Sequence, residues 1–280
     1  MSVLDGKVAI VAGATSGIGA ATVELFVAEG AKVVIAGRRQ EEGEALARKL
    51  GPSASFIRTD VSREAEVKAM VDHAIAKFGR LDCLFNNAGT PGGAMRGIAE
   101  VDLEDFEAVM RVHVFGVVLG MKHAAPAMLR QGSGSIINTG SVAGHRGGMA
   151  AYSYSAAKST VIHLSRCAAM ELGEKGIRVN SISPGAIVTG IFAKGAGMQP
   201  GAADRSAENL KGLFAKVQPI PRAGLPDDIA HTALFLASDA SSFVNGLDLV
   251  VDGGMIAGRP WSVTLADRGQ IAKQLQSPAS

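Results

Sequence analysis

Short apolar runs alternate with longer stretches of mixed character along most of this chain. Val8–Val11, Val33–Ala36, Ser55–Thr59, Cys83–Asn86, Ser135–Thr139, Arg178–Ile182 and Asp248–Val251 are predicted as strands. Ala20 to Glu29, between the first two runs, carries a helical period. Strands alternating with helices through the first 185 residues predict an α/β fold. The expected architecture is one doubly wound parallel sheet of about seven strands, with helices on both faces.

The first strand–turn–helix–strand unit adds candidate chemistry. Gly13, Gly17 and Gly19 stand where the first strand ends and the helix begins, in AGATSGIG. Glycine permits positive φ there and lets a phosphate approach backbone N–H groups at a helix N-terminus. The spacing is G-x3-G-x-G rather than the general G-x-G-x-x-G fingerprint. A glycine-rich turn without a ligand shares that pattern, but the βαβ setting favours a dinucleotide and a Rossmann-type domain.

Composition narrows the class without naming it. With 280 residues, 47% of them hydrophobic, the chain fits one large domain or two small ones. A net charge of +2 argues against nucleic acid or an anionic membrane as partner. No apolar run is expected to reach membrane-spanning length, and no signal peptide precedes the first strand. Cys83 and Cys167 read as buried free thiols in a reducing compartment, so the cytoplasm is the default location. The six histidines show no metal-ligand spacing, and no internal repeat is present.

Tyr154 and Lys158, in YSAAK, lie on one helix face, with Ser141 thirteen residues upstream of the tyrosine. An ordinary tyrosine ionises near pH 10, and a neighbouring ammonium favours the phenolate. Lowering that pKa to about 7 requires about 4 kcal/mol, more than one exposed lysine provides. A buried site and a cationic nicotinamide would have to supply the remainder. On an exposed helix the same pair carries no chemistry.

Taken together, these motifs resemble the classical short-chain dehydrogenases/reductases from about Leu4 to Gly254. They occur in order: AGATSGIG at 12–19, DV at 60–61, NNAG at 86–89, Ser141, YSAAK at 154–158, NSISPG at 180–185 and VDGG at 251–254. The resemblance implies that Tyr154 exchanges a proton with a substrate alcohol or carbonyl and that Ser141 binds the same oxygen. Lys158 would bind the nicotinamide ribose and lower the phenol's pKa. The loop Gly13, Thr15, Ser16, Gly17, Ile18 and Gly19 would cradle the pyrophosphate. Asp60 and Val61 would contact the adenine, and Asn87, Ala88 and Gly89 the adenosine ribose and the sheet centre. Pro184, Gly185, Ile187 and Thr189 would hold the carboxamide, although a Pro-Gly pair is also an ordinary turn. The bounds expected are one domain over 1–256, a lid at about 190–218 and an extension over 257–280.

Three departures from the family pattern change this picture. Ala12 replaces the usual Thr, which removes a hydroxyl worth about 1 kcal/mol of loop stability. His113 stands where the family usually has an Asn that helps hold a water linked to the lysine. Imidazole can donate or accept, so a substituted relay is plausible, with a changed pH optimum if it titrates near neutrality. An alternative is a satisfied histidine without a catalytic role. Gly37 then occupies the place of the carboxylate that would bind an adenosine 2′-hydroxyl, followed by Arg38 and Arg39. Guanidinium groups suit a 2′-phosphate, so NADP is favoured over NAD, although Ser16 replaces the basic residue of many NADP-preferring relatives and Glu41 and Glu42 dilute the positive field.

The substrate is less legible. The Gly- and Ala-rich segment between Thr189 and Pro219 reads as a mobile lid, with Ile191, Phe192, Met198, Leu213 and Phe214 available to cover a hydrophobic substrate. Met95 and Met149 point the same way, unless all are ordinary packing residues. Arg146 could bind a carboxylate. An alicyclic, terpenoid or steroid-like secondary alcohol is favoured over a sugar or an aldehyde. Other readings are an enoyl reductase, epimerase or dehydratase on the same fold, or a cofactor-binding regulatory protein. Enoyl reductases of this kind usually space Tyr and Lys more widely than YSAAK does. The tail from Ala257, with the lone Trp261 and LADRGQIAKQLQ, is either frayed or packed across a subunit boundary. The resemblance implies a homotetramer using two long helices, at about Leu103–Gln131 and Ser153–Lys175.

Overall fold

The computed structural model describes residues 2–92 and 95–276. The first residue of the expected domain and the last four of its extension therefore lie outside the described residues. In chain order the elements begin β1 (Val8–Ala12), α1 (Gly17–Ala28), β2 (Lys32–Gly37), α2 (Gln40–Leu50), β3 (Ala54–Arg58), α3 (Glu64–Phe78) and β4 (Cys83–Asn86). Next come α4 (Leu103–Met110), α5 (Gly116–Gln131), β5 (Gly134–Thr139), α6 (Tyr152–Gly173), β6 (Ile177–Pro184), α7 (Ile191–Gly195) and α8 (Pro200–Ser206). The chain closes with α9 (Lys211–Phe214), α10 (Pro226–Ala237), β7 (Asp248–Val251) and α11 (Trp261–Gln276).

The seven strands form one sheet in the order β3-β2-β1-β4-β5-β6-β7, and every neighbouring pair runs parallel. Parallel strands need both faces covered, and the period-2 alternation of side chains does this here. Ala9, Val11, Val33, Ile35, Phe85, Ile137 and Ile182 pack on one face with Phe26 of α1 and Ile229 and Leu236 of α10. Ile10, Val34, Leu84, Ile136 and Val179 pack on the other with Val67 and Met70 of α3, Met128 of α5 and Leu172 of α6. The seven expected strands are all present, and only their ends differ. β6 runs on to Pro184, which lies past the last residue paired with β5, so its missing N–H leaves no ladder bond unmade on that side.

The order reverses direction between β1 and β4, so the loops after these strands separate and leave a crevice at the carboxyl edge. A buried polar chain braces that edge: Asn86 Nδ2 donates to Asn138 Oδ1 (2.9 Å), and Asn138 Nδ2 donates to Ser165 Oγ (2.9 Å). Gly120 in α5 makes room for it, because a Cβ there would fall on Asn86 Oδ1.

Helices α4 and α5 are joined without a break by a π-helical turn, Arg111–Phe115. The joined stretch Leu103–Gln131 is 29 residues long and, by length and composition, apolar enough to cross a membrane. This corrects the expectation that no apolar segment reaches that length. Half of its most apolar window is buried within the domain, and the stretch lies beside α3 and α6 and against β4 and β5. Cys83 is buried as expected, and burial pushes its thiol up to about 12. Cys167 is exposed, contrary to its sequence reading, because its helical position faces away from the sheet. In the tail, α11 is a four-turn helix with no buried residue.

Gly120→Ala tests the polar brace, since Gly to Ala in a helix ordinarily stabilises by about 1 kcal/mol. Here the expected outcome is destabilisation by about 1–3 kcal/mol through overpacking against Asn86, read from the urea midpoint. A gain in stability would contradict the close approach.

Candidate active site

The carboxyl edge of the sheet brings the sequence motifs together. After Ala12 the chain turns through Gly13 (φ 74°) and Gly17 (φ 53°), both in the left-handed region that glycine tolerates. A Cβ on Gly13 would lie 2.6 Å from Ala88 Cα, and one on Gly19 would strike the Gly13 carbonyl. The turn is thus drawn tightly onto both the β4 loop and the start of α1. Among the described residues Ser16, the N-cap of α1, makes no side-chain cap bond, which leaves amides of the first turn, including Gly17 and Ile18, for an anion. The turn therefore fits a dinucleotide pyrophosphate.

The flanking residues buttress this turn. Asn87 Nδ2 donates to the Ala12 and Gly13 carbonyls (3.4 and 3.3 Å). Thr15 Oγ1 accepts from Arg39 Nε (3.1 Å), and its methyl group lies 3.0 Å from where a Cβ on Gly37 would stand. Asp60 accepts from the Ser62 N–H (3.0 Å) and hydroxyl (2.7 Å). Burial pushes the Asp60 carboxyl up, but the Ser62 bonds and the Arg38 and Arg63 charges outweigh it and hold it below the usual range. Val61 packs against Gly116 at the start of α5. Pro184 ends β6, and the Gly185 N–H donates to the Val251 carbonyl (3.0 Å). Ile187 pairs with Gly224, and Thr189 Cγ2 lies 3.1 Å from where a Cβ on Gly17 would stand. That contact brings the segment after β6 onto the glycine loop.

The reactive centre lies between the end of β5 and the first turns of α6. Ser141 is buried and caps a short 3-10 turn, accepting from the Ala143 N–H (3.2 Å). Burial pushes the Tyr154 phenol above its ordinary pKa, while a hydrogen bond with Ser141 pulls it down. Lys158 is buried one turn along α6; its Nζ donates to the Thr139 carbonyl (2.7 Å) and lies 5.5 Å from the Tyr154 ring centroid. Burial brings this ammonium from 10.5 to about 7. The i, i+4 spacing thus sets a half-buried Tyr154 over a buried Lys158 rather than placing both on an exposed face.

His113 joins this centre through the π turn, whose extra residue per turn presents the imidazole inward. Its ring stands edge-on to Tyr154 with centroids 5.2 Å apart. Nε2 lies 3.1 Å from the Thr90 N–H and 3.0 Å from the Thr90 carbonyl, and the tautomer decides which bond forms. Nδ1 is buried without a partner among the described residues. Gly89 is required here, since a Cβ would come within 2.7 Å of His113 Cε1. Burial, reinforced by the Lys158 charge, drives the imidazole well below its ordinary pKa, against a smaller upward pull from Thr90. The direction of this shift favours the neutral ring.

The rim is less uniform than its sequence suggests. Phe214 is buried and packs edge-on to Phe192 (4.9 Å) in a cluster with Val188, Ala207 and Ala223. Its apolar surface is thus used inside the segment after β6. Phe192, Met198, Leu213 and Met95 are exposed, Ile191 and Met149 are partly so, and Arg146 is exposed. Arg38 faces solvent, whereas Arg39 Nη1 pairs with Asp204 Oδ2 (2.8 Å). Asp204 escapes sequence reasoning because it lies 165 residues from Arg39 and carries no local motif.

The chain is similar to known proteins over most of its length. A family model described as enoyl-(acyl carrier protein) reductase matches residues 13–256. Momilactone A synthase from Oryza sativa subsp. japonica is 44% identical over 256 residues, covering 90% of each chain. Tropinone reductase-like 2 from Erythroxylum coca is 43% identical over 260 residues, covering 92% of this chain and 93% of that one. A 2,5-dichloro-2,5-cyclohexadiene-1,4-diol dehydrogenase from Sphingobium indicum is 43% identical over 258 residues, covering 92% of this chain and all of its own.

The buried ammonium makes a testable contribution to stability. With Lys158 near 7 folded and near 10.5 unfolded, the unfolded chain binds more protons between those values, so stability rises with pH across that window. Lys158→Met should therefore stabilise the protein fully below pH 7 by a few kcal/mol, with the gain fading towards pH 10.5. Urea midpoints across pH check this, and a gain independent of pH would contradict it.

Proposed function

The chain belongs to the short-chain dehydrogenase/reductase family and is an oxidoreductase acting on CH–OH groups, and we propose that it interconverts a secondary alcohol and a ketone on a hydrophobic ring system. The observation that carries this reading is the convergence of buried Ser141 and Lys158 with half-buried Tyr154 between the end of β5 and the first turns of α6. A bound nicotinamide dinucleotide supplies or accepts the hydride.

The chain's own residues handle the proton and the geometry. Tyr154 gives its phenolic proton to the carbonyl oxygen in reduction and takes it back in oxidation. Burial keeps that proton on the phenol at neutral pH, which suits donation. Ser141 holds the same oxygen, so the reacting group is positioned from two sides. Lys158 holds the ribose hydroxyls and, when charged, favours the phenolate that oxidation needs. His113, as a neutral imidazole, orders the Gly89–Thr90 backbone beside Tyr154 and keeps Nδ1 available as a relay partner.

The finer assignments rest on named residues. NADP is the favoured dinucleotide because Gly37 bears no carboxylate and Arg38 is exposed at the end of β2. The segment 190–218 acts as the lid, with Phe192 and Met198 turned outward to meet a ring substrate. Relatives named for momilactone A, tropinone and a cyclohexadiene diol support the ring-bearing class. Outward apolar residues on α5 and α6, such as Val118, Leu129 and Met170, support a homotetramer assembled on these helices. The cytoplasm is the proposed location.

Initial rates with NADP and NAD against secondary alcohols and ketones, from small aliphatics to steroids, test the reading. We expect turnover on ring substrates that falls about 10²–10⁴-fold in Tyr154→Phe; turnover indifferent to that substitution would overturn the role of the phenol. His113→Asn should retain appreciable turnover, and its complete loss would show that the two side chains are not interchangeable. Arg38→Asp should reverse the cofactor preference; unchanged selectivity would refute Arg38 as its determinant.

A further inference from the structure

Position 37 lacks the carboxylate with which a strand β2 terminus would reject a 2′-phosphate, yet a carboxylate reaches the same corner from elsewhere. Asp204, on α8 of the segment after β6, accepts from Arg39 Nη1 (2.8 Å) through Oδ2 and from Lys194 Nζ (2.8 Å) through Oδ1. It is about a quarter exposed and packs against Gly190, where any Cβ would collide with Oδ1. Burial pushes its carboxyl up, but the Lys194 and Arg39 bonds outweigh this and keep it ionised. Arg39 is committed at two donors, Nη1 to Asp204 and Nε to Thr15 of the glycine loop, with Glu42 a further 3.5 Å neighbour.

We propose that Asp204 is a cofactor-specificity determinant, a lid-borne carboxylate that withholds Arg39 from an adenosine 2′-phosphate and sets its negative charge beside that phosphate's place. This rests on the reading that the glycine loop holds a nicotinamide dinucleotide. A guanidinium binds phosphate through paired donors, and with Nε given to Thr15 and Nη1 to Asp204 each pair that Arg39 could offer has one member already engaged. Arg38 is then the guanidinium open to the 2′-phosphate, while Arg39 answers to the lid. Discrimination between the two dinucleotides is consequently coupled to the Asp204–Arg39 pair that ties α8 to the start of α2. Like charges set close together reject a ligand as effectively as a missing contact does.

Calorimetric titration of the full chain with NADP+, NAD+, adenosine 2′,5′-bisphosphate and 5′-AMP tests this directly. Asp204→Asn preserves the shape against Gly190 and removes the charge. It should tighten both 2′-phosphorylated ligands about tenfold and change NAD+ and 5′-AMP less than about twofold. Asp204→Asn combined with Arg39→Ala should lose that gain, as coupled sites do. Equal tightening of all four ligands, or of none, would overturn the inference while leaving the dinucleotide reading intact. Failure of the wild-type protein to bind any of the four would overturn that reading and the inference with it. Melting curves identify a misfolded variant, for which Asp204→Ser is titrated in the same way against the same criteria.

Discussion

An ammonium held inside the domain against a backbone carbonyl is the constraint around which the site is arranged. Lys158 meets the Thr139 carbonyl at 2.7 Å, and burial lowers its pKa to about 7. Desolvation of this kind is unfavourable, so the surrounding structure must impose it. The imposition is threefold: β5 ends at Thr139, α6 starts at Tyr152, and a buried serine cap turns the chain between them. The same geometry stands the Tyr154 phenol beside Ser141 and leaves it protonated, with burial as the main cause.

The parallel sheet explains why this point lies next to a phosphate-sized turn. Strand order reverses between β1 and β4, which places the loops after both strands on the rim of one crevice. Three close approaches then bring the loops into contact: Gly13 on Ala88, Gly89 on His113 and Gly17 towards Thr189. The first two need the absence of a Cβ and the third is merely tight, and each joins a segment of the glycine loop or the β4 loop to a different part of the site. The buried chain from Asn86 through Asn138 to Ser165 ties the same edge to α6 from below.

What sequence reading recovers and what it misses follow from the range of the interactions involved. The strands were legible because parallel strands covered on both faces leave continuous apolar runs, as in Val8–Val11 and Val33–Ala36. The Tyr154–Lys158 pair was legible because helical spacing is local. The π turn around His113 was not, since an extra residue in a helical turn is decided by packing against Thr90 and Tyr154 rather than by composition. Nor was the neutral state of His113, which depends on burial and on the nearby Lys158 charge. Cys167 misled because an apolar, small side chain in a long helix carries no sign of which face it occupies. Asp204 is tertiary information altogether: nothing near it in the chain points to Arg39.

Ionisation of Tyr154 is the property that links the buried lysine, the serine and the proposed proton transfer. The chain has only two tyrosines, so spectrophotometric titration with Tyr154→Phe as the subtraction isolates this phenol from Tyr152. We expect it to ionise above the ordinary value of 10.0 in the free protein and to fall when NADP+ brings a positive charge to the site. A free-protein value at or below 10.0, or one that does not move when NADP+ binds, would contradict it.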